Sequence, residues 1–511
     1  MKILTAEQIR EADAYTIKHE PIKSIDLMER AASKCFDWIY ENAPSLFDAK
    51  NTEEKDWVFH VVVGPGNNGG DGLVIARLLQ RMGYNVHLSY VKLTDEPSSD
   101  FALNFSKLGK LKKAVVEISS VKNVVDYPSN SVIIDAMFGT GLNRPAEGIA
   151  AAVIEKINES QATVVSIDLP SGMFSEDNSE NDRNTIVKSD YLLTFQVPKL
   201  AFYLADSAPL IGELIILNIG LHPEFLNEVD SKYHLLTDGN VAAMRLPRRM
   251  FDHKGTFGHA LIIAGSEGKR GAALMSAEAA LRAGAGLVTL HTDKKGAELL
   301  HESTPEAMVS IDPSDDGTLT QLPDLKKFSS VAIGPGSGKS DETAKALKLL
   351  IQESRVPLLL DADALNILAE NPTWLAFLPK GSVLTPHPGE FAGLIGEKKT
   401  HFQNIESQRE LSRKYGIYIL LKGGKSTLSL PDGQVLINNT GNPGMGTGGM
   451  GDVLTGIIAG LLASDYSPMH ATALGMYIHG RAADLALENE SVESLIATDV
   501  VKYLGRAFQS L

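Results

Sequence analysis

The chain has 511 residues, of which 43% are apolar and 22% charged, with a net charge of −15 and one cysteine. That length exceeds a single hydrophobic core and predicts two or more globular domains. The negative charge argues against nucleic acid and anionic membrane surfaces as partners, and a lone Cys35 excludes an intrachain disulfide and a cysteine-rich zinc site.

The N-terminal MKILTAEQIREAD lacks the apolar core of a signal peptide, and a cytoplasmic enzyme is expected. Thr5 and Gln8 form a capping box that opens a first helix, with Leu4 and Ile9 as its staple. AASKCFDW reads as helical, with Cys35 a buried structural thiol. From about residue 57 to 220, the runs WVFHVVVG, YNVHLSYV, SVIIDAMFG, ATVVSIDLP, YLLTFQV and ELIILNIG alternate with helix-like segments such as LVIARLLQRMG. Strands so continuously apolar predict a parallel sheet covered on both faces.

Polar, irregular sequence starts at Leu221 and persists to about Phe257. A linker is assigned to 221–240, so domains are expected over 1–220 and 241–511. Beyond it the alternation resumes with ALIIAGS, GLVTLH, SSVAIGPG, VPLLLDAD, SVLTPHPG and IYILLKGG, each running into a glycine or proline loop. Ligands of such folds sit at the carboxyl ends of the strands. The longest apolar helix candidate, GIIAGLLA, is too short to span a membrane.

In the first half, GPGNNGGDG follows a strand and opens a helix. Gly64, Gly66 and Gly69 satisfy G-x-G-x-x-G, but no ribose-binding acid ends the second strand near Val91. Asp135 and Asp168 end apolar strands, where an acid is costly unless it binds something or caps the next helix. With Asn68 and Ser171 they offer hard oxygen ligands, suited to an alkali or alkaline-earth cation rather than zinc. The stretches GPGNNGGDGLVIAR, IIDAMFGTGLNRP, SIDLPSG and FQVPK resemble the NAD(P)H-hydrate epimerase family, a Rossmann-like three-layer α/β fold. That resemblance implies that Asn67, Asn68, Gly69, Gly70 and Asp71, and Gly139, Thr140, Gly141, Leu142, Asn143, Arg144 and Pro145, contact the hydrated nucleotide. It also implies K⁺ ligation by Asn68, Asp135 and Ser171, with Asp168 at the substrate as the proton-transfer residue and Lys199 as an electrostatic helper.

In the second half, GNPGMGTGGMGDVLTG (441–456) packs glycines before an apolar helix with one acid, Asp452, at its start. Dense glycine lets consecutive N–H groups turn toward one point, and a helix N-terminus adds free donors: a phosphate cradle. An acid beside it is a candidate base for a hydroxyl moving onto phosphorus, and the dipole is expected to keep it ionised. GSGKS (336–340) and GGKST (423–427) imitate a P-loop, but Ile333 and Ile419 stand where its first glycine belongs.

HKGTFGHALIIAGS, GAALMSAEAALRAGAGLVTL, GPGSG, DADALN, TPHPGEF, LLKGGKS and GNPGMGTGGMGD, in this order, resemble the ribokinase-like ADP/ATP-dependent NAD(P)H-hydrate dehydratases. The whole chain is therefore similar to the bifunctional NAD(P)H-hydrate repair enzymes. The resemblance implies ADP, or ATP, bound by Lys422, Gly423, Gly424, Lys425 and Ser426. Asn442, Pro443, Gly444, Met445, Gly446, Thr447, Gly448, Gly449, Met450 and Gly451 complete that set, with Mg²⁺ bridging nucleotide oxygens. Gly336, His387, Pro388, Gly389, Glu390, Phe391 and Asp452 would face the hydrate, with Asp452 the catalytic base. By itself His387 reads equally as structural, and Asp361 and Asp363 read as helix caps or as cleft residues. A homo-oligomer is the expected assembly. The rival reading is a ribokinase-type metabolite kinase fused to a nucleotide-binding or regulatory domain.

Overall fold

A computed structural model describes residues 1–47 and 57–511. The chain divides into two compact units, residues 2–231 and residues 232–511 with Met1. Both are α/β, with sheets buried by helices.

In the first unit the helix Ala6–His19 begins at the expected capping box. Gln8 N–H donates to Thr5 Oγ1 at 3.2 Å and Thr5 N–H to Gln8 Oε1 at 3.1 Å. Seven strands form one sheet, in the spatial order Val116–Ile118, Asn85–Val91, Val58–Val63, Ser131–Ala136, Thr163–Ile167, Ser189–Phe195, Ile211–Leu217. Every pairing is parallel. The central strands are buried along their length, which is why they lack alternation, whereas the edge strand Ile211–Leu217 is only half-buried. The direction of winding reverses between Val58–Val63 and Ser131–Ala136, and the crevice at such a reversal is where ligands bind. Cys35 is buried in the helix Ser24–Leu46.

In the second unit the sheet runs Tyr233–Leu235, Val435–Ile437, Thr427–Ser429, Tyr418–Leu421, Val383–Leu384, Leu358–Leu360, Ser330–Ile333, His259–Ile263, Leu287–Thr292, Met308–Ile311. Thr427–Ser429 pairs antiparallel on both sides, and the other pairings are parallel. GGKST thus runs into a strand rather than a helix. The reversal here lies between His259–Ile263 and Ser330–Ile333. The helix Met450–Ala463 packs on Arg270–Arg282 through glycine: a Cβ on Gly456 would sit 2.2 Å from Ser276 O. Among the described residues no helix is long and apolar enough to cross a membrane.

Residues 221–240, polar enough to read as a linker, hold the helix Pro223–Glu228, the strand Tyr233–Leu235 and the helix Asp238–Ala242. Each is too short to print a periodic pattern.

Candidate active sites

The first site is built at the reversal point of the first sheet. The turn after Val58–Val63 enters the helix Asn67–Arg81. Its glycines are dictated by contact: a Cβ would lie 2.2 Å from Met137 O at Gly64 and 1.9 Å from Gly64 O at Gly69. A cavity of about 600 Å³ opens here. Asn67, Asn68, Asp71, Gly139, Thr140, Gly141, Leu142 and Asp168 line it. Gly69 and Gly70 lie beneath, where a Cβ on Gly70 would meet Met28 Sδ at 2.6 Å, so they are packing residues of the helix start. Asn143, Arg144 and Pro145 fall outside the lining, with Asn143 and Arg144 exposed.

Asp168 follows Thr163–Ile167 with φ at 64°, a left-handed conformation that a non-glycine residue adopts at a cost. Its carboxylate accepts from Lys199 Nζ at 2.5 Å, and Lys199 Nζ also donates to Thr194 Oγ1 at 2.6 Å. Lys199 is 0% exposed. A fully buried ammonium needs such partners.

Asp135 is fully buried too, but among the described residues no basic side chain pairs with it. Its oxygens accept from Ser171 N at 2.8 Å, Ser171 Oγ at 2.5 Å, Ser166 Oγ at 2.8 Å and Met137 N at 3.4 Å. Burial raises its pKa and these hydrogen bonds oppose the rise. Asn68 Nδ2 donates to Phe138 O at 2.8 Å and Ile167 O at 3.1 Å, while its Oδ1 is buried without a partner. An orphan amide oxygen near an uncompensated carboxylate fits a weakly hydrated monovalent cation.

The second site gathers at the carboxyl ends of the second sheet. Asp361 stands at the start of Ala362–Glu370 but makes no capping bond. Instead it accepts from Lys422 Nζ at 2.7 Å and from Thr455 Oγ1 at 2.7 Å. Asp363 accepts from Lys269 Nζ at 3.1 Å and Gly338 N at 3.0 Å. Both acids are therefore bound to partners from other segments, and neither lines the cavity of this unit.

His387 caps its own helix: Gly389 N and Glu390 N donate to its Nδ1 at 3.0 and 3.2 Å, and Glu390 Oε2 accepts from His387 N at 2.8 Å. Burial raises the Glu390 pKa, with Lys422 opposing from 3.8 Å.

A cavity of about 450 Å³ is lined by His387, Pro388, Lys422, Gly423, Gly424, Ser426, Asn442, Pro443, Met445, Gly446, Met450 and Gly451. Lys425 lies outside it, bonding Asn439 Oδ1 at 2.8 Å. Phe391 does not face a ligand: it is 0% exposed, inside the core with Leu365 and Leu384. An aromatic one turn into an amphipathic helix goes to the apolar side. Gly336, with φ at 57°, packs under Lys269, where a Cβ would come within 2.8 Å.

The amides of the glycine loop that lack partners lie further along the chain than expected. The amides of Gly444, Met445 and Gly446 are spent inside the turn, on Asn442 Oδ1, Asn442 O and Pro443 O. Among the described residues no hydrogen bond of normal geometry takes the amides of Thr447 through Asp452. Gly449, with φ at 92°, turns the chain into the helix, and a Cβ there would strike Met275 Cε at 2.7 Å. Open donors thus converge at a helix N-terminus. Gly451 brings this point to Lys422: its Cβ would stand 3.3 Å from Nζ.

Asp452 lies outside the cavity lining, among Asp361, Lys422 and Asp363. The dipole does not hold its pKa down. Burial, then the Asp361 charge, push it up to about 6, with Lys422 opposing. Asp452 is still mostly ionised at neutral pH, so it keeps the state a base needs.

A model described as NAD(P)H-hydrate dehydratase matches residues 260–506, and one described as YjeF-related protein N-terminus matches 24–201. The bifunctional NAD(P)H-hydrate repair enzyme Nnr of Moorella thermoacetica is 35% identical over 100% of this chain and 97% of its own length. The chain belongs to the bifunctional NAD(P)H-hydrate repair enzyme family. The Escherichia coli enzyme of that name is 33% identical, covering 98% of this chain and 93% of its own. A crystal structure of ADP/ATP-dependent NAD(P)H-hydrate dehydratase from Bacillus subtilis, co-crystallized with ATP and Mg²⁺, is 32% identical over 54% of this chain and 98% of its own, with a TM-score of 0.48.

In this member of the repair family, three residues of the sites escape sequence reasoning. Asp484 accepts from Gly441 N at 2.9 Å and Asn442 Nδ2 at 3.0 Å, pinning the glycine loop. His479 lines the smaller cavity with Nε2 unpartnered, and burial, aided by Lys422, holds it neutral with a pKa of about 4. Asp13 reaches the larger cavity from the first helix. All sit inside helices, where a lone polar residue carries no motif.

Proposed function

We propose that residues 2–231 interconvert the R and S epimers of NAD(P)H hydrate, and that residues 232–511 dehydrate the S epimer to NAD(P)H at the expense of ADP, giving AMP and phosphate. The observation that carries this reading is the run of open amides at 447–452 beside Asp452 and the Lys422–Asp361 pair. Hydroxide is a poor leaving group from C6 of the ring, and phosphorylation makes it a good one. The amides hold the terminal phosphoryl group, and Lys422, below Gly451, supplies a positive charge to it. Asp452 takes the proton from the C6 hydroxyl as its oxygen attacks phosphorus. The ring nitrogen lone pair then expels phosphate from C6, and loss of a proton from C5 to solvent forms the C5=C6 double bond and returns the lone pair to nitrogen, giving NAD(P)H. Mg²⁺ would bridge nucleotide oxygens and offset their charge. The smaller cavity takes the nucleotide, and the hydrate lies beside Asp452, on the side of Asp361 and Asp363.

A chiral site of this kind uses one epimer, so the other must be converted. In the first unit, Asp168 handles the proton as the C6 oxygen substituent leaves and returns, and Lys199 holds Asp168 in place. The test uses purified epimers, with HPLC following products. AMP, phosphate and reduced cofactor support repair, and a stable phosphorylated hydrate supports a kinase. Asp168→Asn is expected to slow epimer interconversion by about 100-fold or more; interconversion at the parental rate removes Asp168 from the mechanism.

K⁺ would be held by Asn68 Oδ1, Asp135 and Ser171, and would supply the positive charge that the buried carboxylate lacks. Exchanging Na⁺ for K⁺ at constant ionic strength is expected to raise the melting temperature of the parental protein. Asn68→Ala should abolish that difference, and a difference that persists refutes the site.

A further inference from the structure

We propose that Asp13 is a second catalytic residue of the epimerisation, the acid that protonates the departing C6 oxygen of the hydrate from within the cavity it shares with Asp168. This rests on reading residues 2–231 as the epimerase.

Three observations support it. The first is placement. Ile9, Asp13 and Ile17, on one face of the helix Ala6–His19, line the cavity that also holds Asn68, Gly139 and Asp168. The helix is fixed in place: His222 N–H donates to Thr16 Oγ1 at 2.9 Å, and Thr16 Oγ1 donates to Ala12 O at 2.7 Å.

The second is the absence of a structural task. The Asp13 carboxyl is half-buried in the cavity wall between Ile9 and Ile17, yet makes no hydrogen bond or ion pair among the described residues. An unpaired carboxyl in such a place is costly, and no fold contact repays it.

The third is charge. Asp71, from the helix Asn67–Arg81, and Asp168 face Asp13, and among the described residues Lys199 is the one buried Lys or Arg. That ammonium is already bound to Asp168. Arg10, on the helix of Asp13, lines the cavity but is exposed. From Ser24–Leu46, Cys35 is held neutral by burial, and Asp100 is tied to Ser24 Oγ at 2.6 Å. One ammonium cannot compensate every carboxylate, so protons must remain on some. Burial, then the Asp168 charge, push Asp13 up to about 7, and burial raises Asp71 well above the usual carboxylate range. The Asp13 carboxyl, with no fold partner, is placed to give a proton, while the Asp168 carboxylate, held by Lys199, is placed to take one.

The step balances without any oxidant. The ring nitrogen lone pair forms a C=N bond as C6–O breaks, and the Asp13 proton converts the departing oxygen to water. A water molecule adds to the other face of C6, its proton passes to Asp168, and the C=N pair returns to nitrogen. Proton exchange with solvent resets both acids, and the reverse reaction exchanges their roles.

The test follows regain of 340 nm absorbance by the full chain with ADP, starting from the purified R epimer, which must be converted before it is dehydrated. The S epimer reports that the chain is folded. Asp13→Asn keeps the side-chain shape and has no hydrogen bond to lose. It is expected to lower the R-dependent rate about 100-fold or more with the S-dependent rate unchanged. In the parental chain the R-dependent rate should decline as pH rises through about 7, and the residual rate of Asp13→Asn should lack that decline. An unchanged R-dependent rate, or the same decline surviving in Asp13→Asn, overturns the role of Asp13. A parental chain that cannot use the R epimer at all overturns the epimerase reading, and the proposal with it.

Discussion

Asp452→Asn is expected to lower the ADP-dependent regain of 340 nm absorbance from the S epimer by about 10²–10⁴-fold, the usual contribution of a positioned general base. Nucleotide binding should survive, because the phosphate donors are main-chain amides at 447–452 and the substitution leaves the backbone intact. Calorimetry with ADP separates the two quantities. The pH dependence carries the same signature. A base whose pKa is pushed up to about 6 is ionised above that value. The parental rate should therefore be level near pH 7.5 and fall as pH drops through about 6, and the residual rate of Asp452→Asn should lack that limb. Normal turnover by Asp452→Asn would remove it as the base.

What could be read from the residues follows from how strongly each physical demand marks the chain. Strands buried on both faces need unbroken apolar runs, so the sheet of the first unit was legible from WVFHVVVG and SVIIDAMFG. Close backbone approach needs glycine, so Gly64, Gly69, Gly449 and Gly451 announce their loops. Helix-borne polar residues make no such demand. Asp13, His479 and Asp484 look like ordinary members of amphipathic helices until tertiary packing turns them into cavities. The opposite error befalls Phe391, where a motif rich in cleft residues includes one that serves the core. Fine register is also hidden. Only coordinates show that Asn442 and Pro443 consume the amides of 444–446 and leave those of 447–452 open. The upward push on the Asp452 pKa is hidden for a related reason: burial and the Asp361 charge come from residues distant in sequence.

The other large effect is expected at Lys199. Its ammonium, 0% exposed, is the partner of the Asp168 carboxylate at 2.5 Å. Lys199→Met removes one half of a buried pair and leaves the other uncompensated, which typically costs about 3–5 kcal/mol. That is a large share of the stability of an ordinary domain. Urea unfolding of the full chain should therefore show the first unit destabilised, with epimer interconversion lost. Dehydration of the S epimer should persist, because residues 232–511 have their own core. A double variant, Lys199→Met with Asp168→Asn, tells stability from chemistry. It removes the unpaired buried charge, and Asn tolerates the left-handed backbone at 168, so the double variant should regain most of the lost stability while interconversion stays absent. Stability and activity returning together would mean that the pair is structural and the proton is handled elsewhere. Stability returning alone would show that this left-handed, strained carboxylate is kept for its reaction.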